Sequence, residues 1–178
     1  DESKRLAETL AYIYASYFRV PVTVVRPFNV FGPGQRLDDG RIIPDIMSAV
    51  AQRKNIQLFS DGTATRSFCY IGDFVNGLFS LLIHEDTHGK IYNLGNDELE
   101  ISINDLADRM CKVAEAIYGQ RTSSVEMTVS KDTNYTTDNP QRRRPDLSKV
   151  KNTIDYRPRV SLDEGLRRTL LSYLEILG

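Results

Sequence analysis

Residues 20–34 read VPVTVVRPFNVFGPG, and this stretch decides the fold class. Its first part, residues 20–25, is a mostly β-branched run broken by a proline, which predicts a largely buried strand. Residues 4–18 come just before it and place Leu6, Leu10 and further apolar residues at helical spacing, which predicts an amphipathic helix. A helix that leads directly into a buried strand is typical of an α/β protein.

The rest of the chain continues this alternation of helices and strands. The predicted helices cover about residues 44–53, 73–83, 104–118 and 162–177, and the predicted strands cover residues 56–59, 67–71 and 91–94. Ser102 or Asn104 is expected to cap the third of these helices. Residues 60–63 are expected to form a turn, and residues 32–40 and 130–146 are expected to be irregular. The predicted fold class is therefore α/β, with few parallel strands.

Composition limits the classes of function. The 178 residues include 23 basic and 24 acidic side chains, for a formal net charge of −1, and 40% of them are hydrophobic. This composition is typical of a soluble globular domain, and the near-zero charge argues against a polybasic binder of nucleic acid or membranes. No apolar stretch reaches the roughly 18 residues of a membrane span, and no signal peptide is evident. We expect a cytoplasmic protein.

The cysteines and glycines argue against two kinds of site. Cys69 and Cys111 lie among apolar residues without a CxxC or Cys/His cluster, so neither a disulfide framework nor a metal site is indicated. The GPG segment at residues 32–34 supplies a first glycine pair, but Leu37 stands where a third glycine would be needed. The chain therefore carries no GxGxxG phosphate loop for a dinucleotide.

Arginines are the strongest candidates for a binding site. They stand at predicted strand ends and in predicted loops: Arg26, Arg36, Arg41, Arg66, Arg142, Arg143 and Arg144. A guanidinium group binds phosphate oxygens bidentately, so several of them converging on one cleft would clamp a diphosphate. For any single arginine, an exposed surface charge is the favoured interpretation, because exposed arginines are common. The run at residues 142–144 favours the clamp more strongly, because like charges in one loop repel each other without an anion between them.

Other polar residues allow two interpretations. Asn29 and Asn96 end predicted strands, where α/β proteins place ligand contacts, yet asparagine is also an ordinary turn residue. For Asn96 the turn interpretation is preferred. For Asn29 the turn and the ligand contact are equally favoured. His84 and His88 lack a third partner and are interpreted as solvated or capping residues. The adjacent carboxylates at residues 38–39 are interpreted as a turn rather than as metal ligands.

Six segments together resemble a known family. They are DESKRLAE (residues 1–8), RPFNVFGP (26–33), DGRII (39–43), FSDG followed by RSF (59–62 and 66–68), YNLGN (92–96) and QRRRPD (141–146). Their order and spacing resemble the nucleotide-sugar epimerase/dehydratase family of extended short-chain dehydrogenases, over essentially the whole chain. The Asp-Gly-Arg and Arg-x-Pro-Asp motifs most resemble UDP-glucuronate decarboxylases, with dTDP-glucose dehydratases and UDP-sugar 4-epimerases as close relatives.

The resemblance implies that the chain is the C-terminal part of such an enzyme. Residues 1–36 would be a remnant of the NAD-binding Rossmann-type domain. Residues 37–178 would be mainly the nucleotide-sugar binding domain, with some segments returning to the cofactor domain, and the glycine-rich βαβ unit would be lacking. The family's Tyr-x-x-x-Lys signature would place its lysine at Lys4 and its tyrosine immediately before Asp1. The chain alone is therefore expected to be inactive, whereas the complete enzyme is expected to be a homodimer.

The resemblance also implies contacts to the cofactor NAD. Lys4 would serve in catalysis and cofactor binding, because lysine in this signature hydrogen-bonds the nicotinamide ribose and its charge lowers the pKa of the tyrosine. Pro27 and Phe28 would lie near the nicotinamide. Arg41 matches an arginine that decarboxylases of this type place at the acid group of the sugar, which makes it a catalytic candidate.

The implied substrate is a nucleotide sugar. Its binding residues would be Asn29, Arg36, Arg41, Ile43, Gln57, Phe59, Arg66, Arg143 and Arg144. Two of these arginines, Arg66 and Arg143, would grip the diphosphate. NAD would take hydride from C4 of the sugar, UDP-glucuronate would lose its carboxyl group, and hydride would return. The alternatives are a dTDP-glucose 4,6-dehydratase, a UDP-sugar 4-epimerase, or, in another class, a non-catalytic nucleotide-binding or oligomerisation module.

Overall fold

The structure, a computed structural model, describes residues 2–128 and 140–177. Its helices are α1 (Glu2–Tyr17), α2 (Ile42–Ala51), α3 (Ile71–Ile83), α4 (Ile103–Tyr118), α5 (Ser148–Ile154) and α6 (Leu162–Leu177), with a short 3-10 helix at Glu85–Thr87. Its strands are β1 (Val24–Pro27), β2 (Val30–Phe31), β3 (Ile56–Leu58), β4 (Thr65–Arg66), β5 (Cys69–Tyr70), β6 (Ile91–Leu94), β7 (Ile101–Ser102), β8 (Val125–Met127) and β9 (Arg142–Arg143). Helices and strands alternate, which confirms the predicted α/β class. Asp1 and residues 130–139 of the predicted irregular segment lie outside the described residues.

The strands form small, mostly parallel sheets. Strands β1 and β6 pair in parallel, as do β2 with β5 and β3 with β8. A further sheet has the order β7-β4-β9, in which β4 is antiparallel to β7 and parallel to β9. Because β6 lies beside β1, a segment from the middle of the chain joins the sheet that the first strand begins. The division into a cofactor part and a substrate part stays a prediction.

Two hydrophobic clusters hold the elements together. The larger cluster lies among α2, α4, α6 and β3, and its most enclosed members include Met47, Leu106 and Leu170. The smaller cluster centres on Tyr92 of β6 and Val150 of α5. Burial of such large side chains contributes about 1.5–3 kcal/mol each relative to leaving them exposed. The two clusters fix the strands whose ends carry the candidate site.

Helix α4 begins and ends as its sequence indicates. The Ser102 side chain accepts a hydrogen bond from the backbone N–H of Asp105 at 3.0 Å, so the predicted cap is confirmed at Ser102 rather than at Asn104. The helix ends at Gly119, which has a φ of 71°. This left-handed conformation is favourable for glycine because it has no Cβ.

Two predicted boundaries were wrong by several residues. The first strand begins at Val24 rather than at residue 20, because Arg19 has a φ of 54° and the N–H of Val20 still bonds to the carbonyl of Tyr14 at the end of α1. Helix α2 begins at Ile42, two residues before the predicted start at Pro44. Proline fits there because backbone N–H groups in the first helical turn have no acceptor within the helix.

The predicted strand at residues 67–71 is confirmed only in its middle, where β5 covers Cys69–Tyr70. The preceding strand, β4, ends at Arg66, before the predicted start, and the two strands pair with different partners, β4 with β7 and β9, and β5 with β2. Between them, Phe68 is buried in the larger cluster. Helix α3 then begins directly after β5, at Ile71 rather than at residue 73. The predicted irregular segment also fails at Arg142 and Arg143, which form β9.

Helix α1 makes little contact with the rest of the chain. It has no buried residue, and 60% of Leu6, 45% of Leu10 and 79% of Tyr17 are exposed. Its amphipathic sequence therefore presents apolar side chains that the described residues do not cover. The homodimer that the resemblance implies stays a prediction. None of the helices in the described residues has the length and hydropathy that a bilayer crossing requires.

Candidate functional site

One cleft, of about 780 Å³, brings together half of the predicted site residues. Those that line it are Pro27, Asn29, Arg41, Ile43, Arg66 and Arg143. A volume of this size is within the range of pockets that bind small molecules. The other predicted residues, Lys4, Phe28, Arg36, Gln57, Phe59 and Arg144, are not among its lining residues.

Arg66 and Arg143 form a pair of cations on the wall of the cleft. They face each other in register on the parallel strands β4 and β9. Only 8% of Arg66 is exposed, and its Nη1 donates to the carbonyl of Thr65 at 2.7 Å and to that of Gln141 at 3.3 Å. Burial lowers the pKa of Arg66, and the charge of Arg143 lowers it further. Within residues 2–128 and 140–177, neither arginine forms an ion pair with a carboxylate.

The three arginines at residues 142–144 do not share one anion, contrary to what their like charges had suggested. Arg142 donates to both carboxylate oxygens of Glu100, and Arg144 donates to the carbonyl of Asp97 at 3.0 and 2.5 Å. Arg143 lies between them and lines the cleft. Successive residues of a strand point to opposite faces, so the three guanidinium groups do not need a common anion. The repulsion argument from the run as a whole was therefore wrong, and only its central arginine reaches the cleft.

The loop before α2 separates Arg36 from Arg41. Arg36 forms a bidentate pair with Asp38, at 2.8 and 2.9 Å, and its side chain is 80% exposed. Arg41 lines the cleft, where its side chain is 72% exposed and its Nε lies 3.5 Å from Asp39. Asp39 also accepts from the backbone N–H of Arg41 at 3.0 Å and from Gln35 at 3.3 Å. The predicted turn at residues 38–39 thus anchors the residue that follows it.

Both asparagines have structural roles. The Asn29 side chain donates to the carbonyl of Ser67 at 2.8 Å, and Asn29 has a φ of 42°, in the left-handed region that asparagine tolerates. It also lines the cleft, and a ligand contact at Asn29 stays a prediction beside this structural role. The Asn96 side chain accepts from the backbone N–H of Glu98 at 2.8 Å, which confirms the turn interpretation.

Lys4 lies one helical turn from the contact that attaches α1 to β1. Glu8 accepts two hydrogen bonds from Arg26, both at 2.6 Å, and this pairing lowers the pKa of Glu8. Residues four apart share a face of a helix, so Lys4 stands on the side of α1 that faces the end of β1. Pro27 follows Arg26 and lines the cleft.

Phe28 lies outside the cleft and against the glycine of the YNLGN motif. A Cβ atom at Gly95 would lie 2.9 Å from the Cβ of Phe28 and 3.2 Å from its carbonyl oxygen. The N–H of Phe28 donates to the carbonyl of Leu94 at 2.9 Å. The two motifs therefore pack directly on each other where β1 and β6 end, and this position requires glycine.

Gln57 and Phe59 line a separate small hollow of about 30 Å³ beside the cleft. Residues common to the hollow and the cleft are Ile42, Ser60 and Ile103. Sequence reasoning missed Asp61, Phe68 and Gln141, which also line the cleft. All three lie inside quoted motifs, but their residue types alone indicated only a turn, a core residue or nothing. Among the described residues, no group of His, Cys, Asp and Glu is arranged to hold a metal ion.

The cleft combines two cations that form no ion pair within the described residues with apolar walls from Phe31, Ile43 and Phe68. Guanidinium groups bind phosphate and carboxylate oxygens, and apolar walls bind the less polar parts of a ligand. The geometry therefore fits a ligand with an anionic centre and a larger organic part.

Comparison with known proteins identifies a matching family and similar enzymes. A family model described as "NAD dependent epimerase/dehydratase family" matches residues 1–95. The chain is 35% identical over 173 residues to UDP-glucuronic acid decarboxylase 1 of Arabidopsis thaliana. The matched region covers 97% of this chain and 37% of that protein. It is 36% identical over 170 residues to UDP-glucuronic acid decarboxylase 1 of Xenopus tropicalis, with 96% and 37% covered. The chain spans less than half the length of these curated relatives.

Solved structures share the fold. UDP-glucuronic acid 4-epimerase from Bacillus cereus, solved with UDP-glucuronic acid and NAD, has a TM-score of 0.77 and is 28% identical, with 96% of this chain and 50% of that one covered. An epimerase from Methanothermobacter thermautotrophicus has a TM-score of 0.84 and is 25% identical, with 98% and 49% covered. The likeness agrees with the predicted fold class.

Proposed function

The chain belongs to the NAD-dependent epimerase/dehydratase family, and from this membership we propose that its cleft binds the diphosphate of a nucleotide sugar. The observation that carries the proposal is the in-register pair of Arg66 and Arg143 on the wall of the cleft. Two adjacent guanidinium groups without a carboxylate partner in the described residues are suited to two linked phosphate groups. Asn29 and Ile43, on the same walls, would contact other parts of this ligand.

The proposed nucleotide sugar is UDP-glucuronate. Relatives that cover 93–97% of this chain are named UDP-glucuronic acid decarboxylases. The Bacillus cereus neighbour, a 4-epimerase, was solved with UDP-glucuronic acid. Two reactions among the similar proteins therefore use the same substrate. An acidic sugar also suits Arg41, a largely exposed cation that lines the cleft on a different loop from the diphosphate pair.

The proposed reaction of the whole protein is decarboxylation of this substrate. NAD, when bound, supplies a temporary acceptor for the hydride at C4 of the sugar. The residues of this chain bind and orient. Arg66 and Arg143 would hold the diphosphate on C1 of the sugar, and Arg41 would hold the carboxylate on its C5. Fixing the groups at two positions of the sugar ring places the reacting carbon atoms in one geometry, which lowers the entropic part of the barrier.

The described residues fit one end of NAD. Lys4 is an exposed cation on the face of α1 that meets β1, and Pro27 lines the cleft at the end of that strand. A primary amine and an apolar ring are suitable partners for a ribose hydroxyl and a nicotinamide face. Phe28, the third predicted cofactor residue, would act through its packing on Gly95. The expectation that residues 1–178 alone are inactive stays a prediction.

Product analysis tests the proposed reaction. The natural protein in full is incubated with NAD and UDP-glucuronate, and released carbon dioxide and the mass of the nucleotide product are measured. Decarboxylation releases carbon dioxide and leaves a UDP-pentose. A UDP-hexuronate of unchanged mass and changed stereochemistry would instead support the 4-epimerase, which the Bacillus cereus neighbour favours. Binding of UDP with no conversion of either kind would leave a non-catalytic nucleotide-binding module.

A further inference from the structure

Glu100 binds the strand that carries Arg143 from the side opposite the cleft. Its carboxylate accepts from Nε and Nη2 of Arg142, at 2.8 to 3.0 Å, and from the hydroxyl of Thr65 at 2.5 Å. Arg142 belongs to β9 and Thr65 to β4, so one carboxylate bridges the two strands. The Glu100 side chain is only 21% exposed.

Strand register explains why this bridge matters for the cleft. Thr65 is paired with Arg142, and the next residues along the two strands, Arg66 and Arg143, are also paired. Neighbouring residues of a strand point to opposite faces of the sheet. Thr65 and Arg142 therefore face Glu100, while Arg66 and Arg143 face the cleft, as their lining positions show.

Several contacts of the described residues hold β9 in place, and one of them is just after the strand, where Arg144 donates to the carbonyl of Asp97. Strand β9 has only two residues, and its backbone contacts to β4 include a bond of 2.7 Å from Thr65 to Gln141 and a longer one of 3.4 Å from Ser67 to Arg143. The charge of Arg143 already lowers the pKa of Arg66. The Glu100 bridge adds two side-chain attachments, to Arg142 and to Thr65, to this short pairing.

We infer that Glu100 is a positioning residue, which holds β9 against β4 and so keeps Arg143 beside Arg66 for a nucleoside diphosphate. The inference rests on the proposed function, because it assigns Glu100 to the diphosphate site. Glu100 does not itself touch the ligand in this account. Its effect passes through Arg142 and the backbone of β9.

The direction in which Glu100→Gln changes the Kd of UDP distinguishes a positioning role from simple electrostatic attraction. Glu100→Gln keeps the shape of the side chain and an acceptor for Thr65, but it removes the negative charge that binds Arg142. Coulomb attraction alone predicts tighter binding of an anion, because the site becomes more positive. Positioning predicts weaker binding, by about fivefold to tenfold in the Kd for UDP.

The experiment measures the Kd of UDP and of uridine for the natural protein in full. We expect Glu100→Gln to weaken UDP binding and to leave uridine binding unchanged, since uridine has no phosphate. Glu164→Gln on α6 is the matched control, because Glu164 also accepts from two arginines, Arg167 and Arg168. A melting temperature for each variant shows whether the fold is kept.

Two further variants make each outcome decisive. In an Arg142→Gln background, Glu100→Gln should have no additional effect on UDP binding, because its partner is gone. If Arg66→Ala weakens UDP binding but Glu100→Gln leaves it unchanged or tightens it, Glu100 has no positioning role while the proposed function stands. If Arg66→Ala has no effect on UDP binding, the diphosphate site itself is wrong.

Discussion

Arg66 and Arg143 are register partners on parallel strands, and both side chains line one cleft. Arg66 is buried and Arg143 is exposed, so one guanidinium group forms the floor of the site and the other its edge. The buried group is fixed by two backbone carbonyls, whereas the described residues provide no side-chain partner for the exposed one. An anion that enters the cleft therefore meets one rigid cation and one that can adjust.

The first prediction concerns salt. Because the proposed attraction for UDP comes largely from two cations, raising the salt concentration from about 50 mM to about 500 mM should weaken UDP binding severalfold. Uridine binding should change little over the same range. Titration calorimetry at each salt concentration measures both. Equal salt dependence for UDP and uridine would argue against a phosphate contact.

The second prediction concerns Arg41. If Arg41 binds the acid group of the sugar, Arg41→Ala should weaken binding of UDP-glucuronate by about tenfold while leaving the Kd of UDP unchanged. The preference for UDP-glucuronate over UDP-glucose should fall in parallel. Arg157→Ala is the control, because Arg157 is an exposed arginine paired with Asp155 outside the cleft. A parallel loss of UDP and UDP-glucuronate binding in Arg41→Ala would contradict this role.

The third prediction concerns pH. The hydrogen bonds from Arg142 and Thr65 hold the pKa of Glu100 at about 2, below its ordinary value of 4.5. A carboxyl group whose pKa is lower in the folded state stabilises the fold above its unfolded-state pKa, and this contribution is lost as pH falls toward the folded-state value. The difference in unfolding free energy between the natural protein and Glu100→Gln should therefore be constant above about pH 5 and shrink between pH 4.5 and 2. Urea denaturation across this range measures it, and a constant difference down to pH 2.5 would be inconsistent with the ion pair.

The fourth prediction concerns the contact between Phe28 and Gly95, where the RPFNVFGP and YNLGN motifs pack on each other. Gly95→Ala would place a Cβ atom 2.9 Å from the Cβ of Phe28, so the ends of β1 and β6 must move apart. We expect a loss of about 1–3 kcal/mol in the free energy of unfolding. Gly72→Ala is the comparison, because its Cβ would meet nothing closer than 3.3 Å, in the ring of Tyr70. Equal stability of the two variants in urea denaturation would show that the junction is not tightly packed.

Local sequence patterns predicted the elements whose stability is local. The α4 cap at Ser102, the turn after residue 96 and the strand Ile91–Leu94 all follow from short-range chemistry, and all three are present. The boundaries that failed depend on partners far away in the chain. Within the predicted strand at residues 67–71 only β5, Cys69–Tyr70, is present, and no local pattern states that β5 pairs with β2 while β4, just before it, joins another sheet.

The sequence likewise indicated some residues of the candidate site and not others. The quoted motifs brought Arg41, Arg66 and Arg143 into consideration, and all three line the cleft. Residue type could not distinguish Arg143 from Arg142 and Arg144, since all three are arginines. Their partners differ because Arg142 and Arg143 point to opposite faces of β9, and this depends on the strand itself. Glu100 gave no signal in the sequence, since its importance depends on a contact 42 residues along the chain.

The Kd of UDP, measured for the natural protein and three variants, tests the proposed diphosphate site. We predict that Arg66→Ala and Arg143→Ala each weaken UDP binding by about ten- to a hundredfold, with melting temperatures that show both variants to be folded. We also predict that Arg109→Ala, which removes a surface ion pair with Asp163, leaves UDP binding as it is. UDP binding that is equally tight in all of these proteins would contradict the claim that the paired arginines hold a diphosphate.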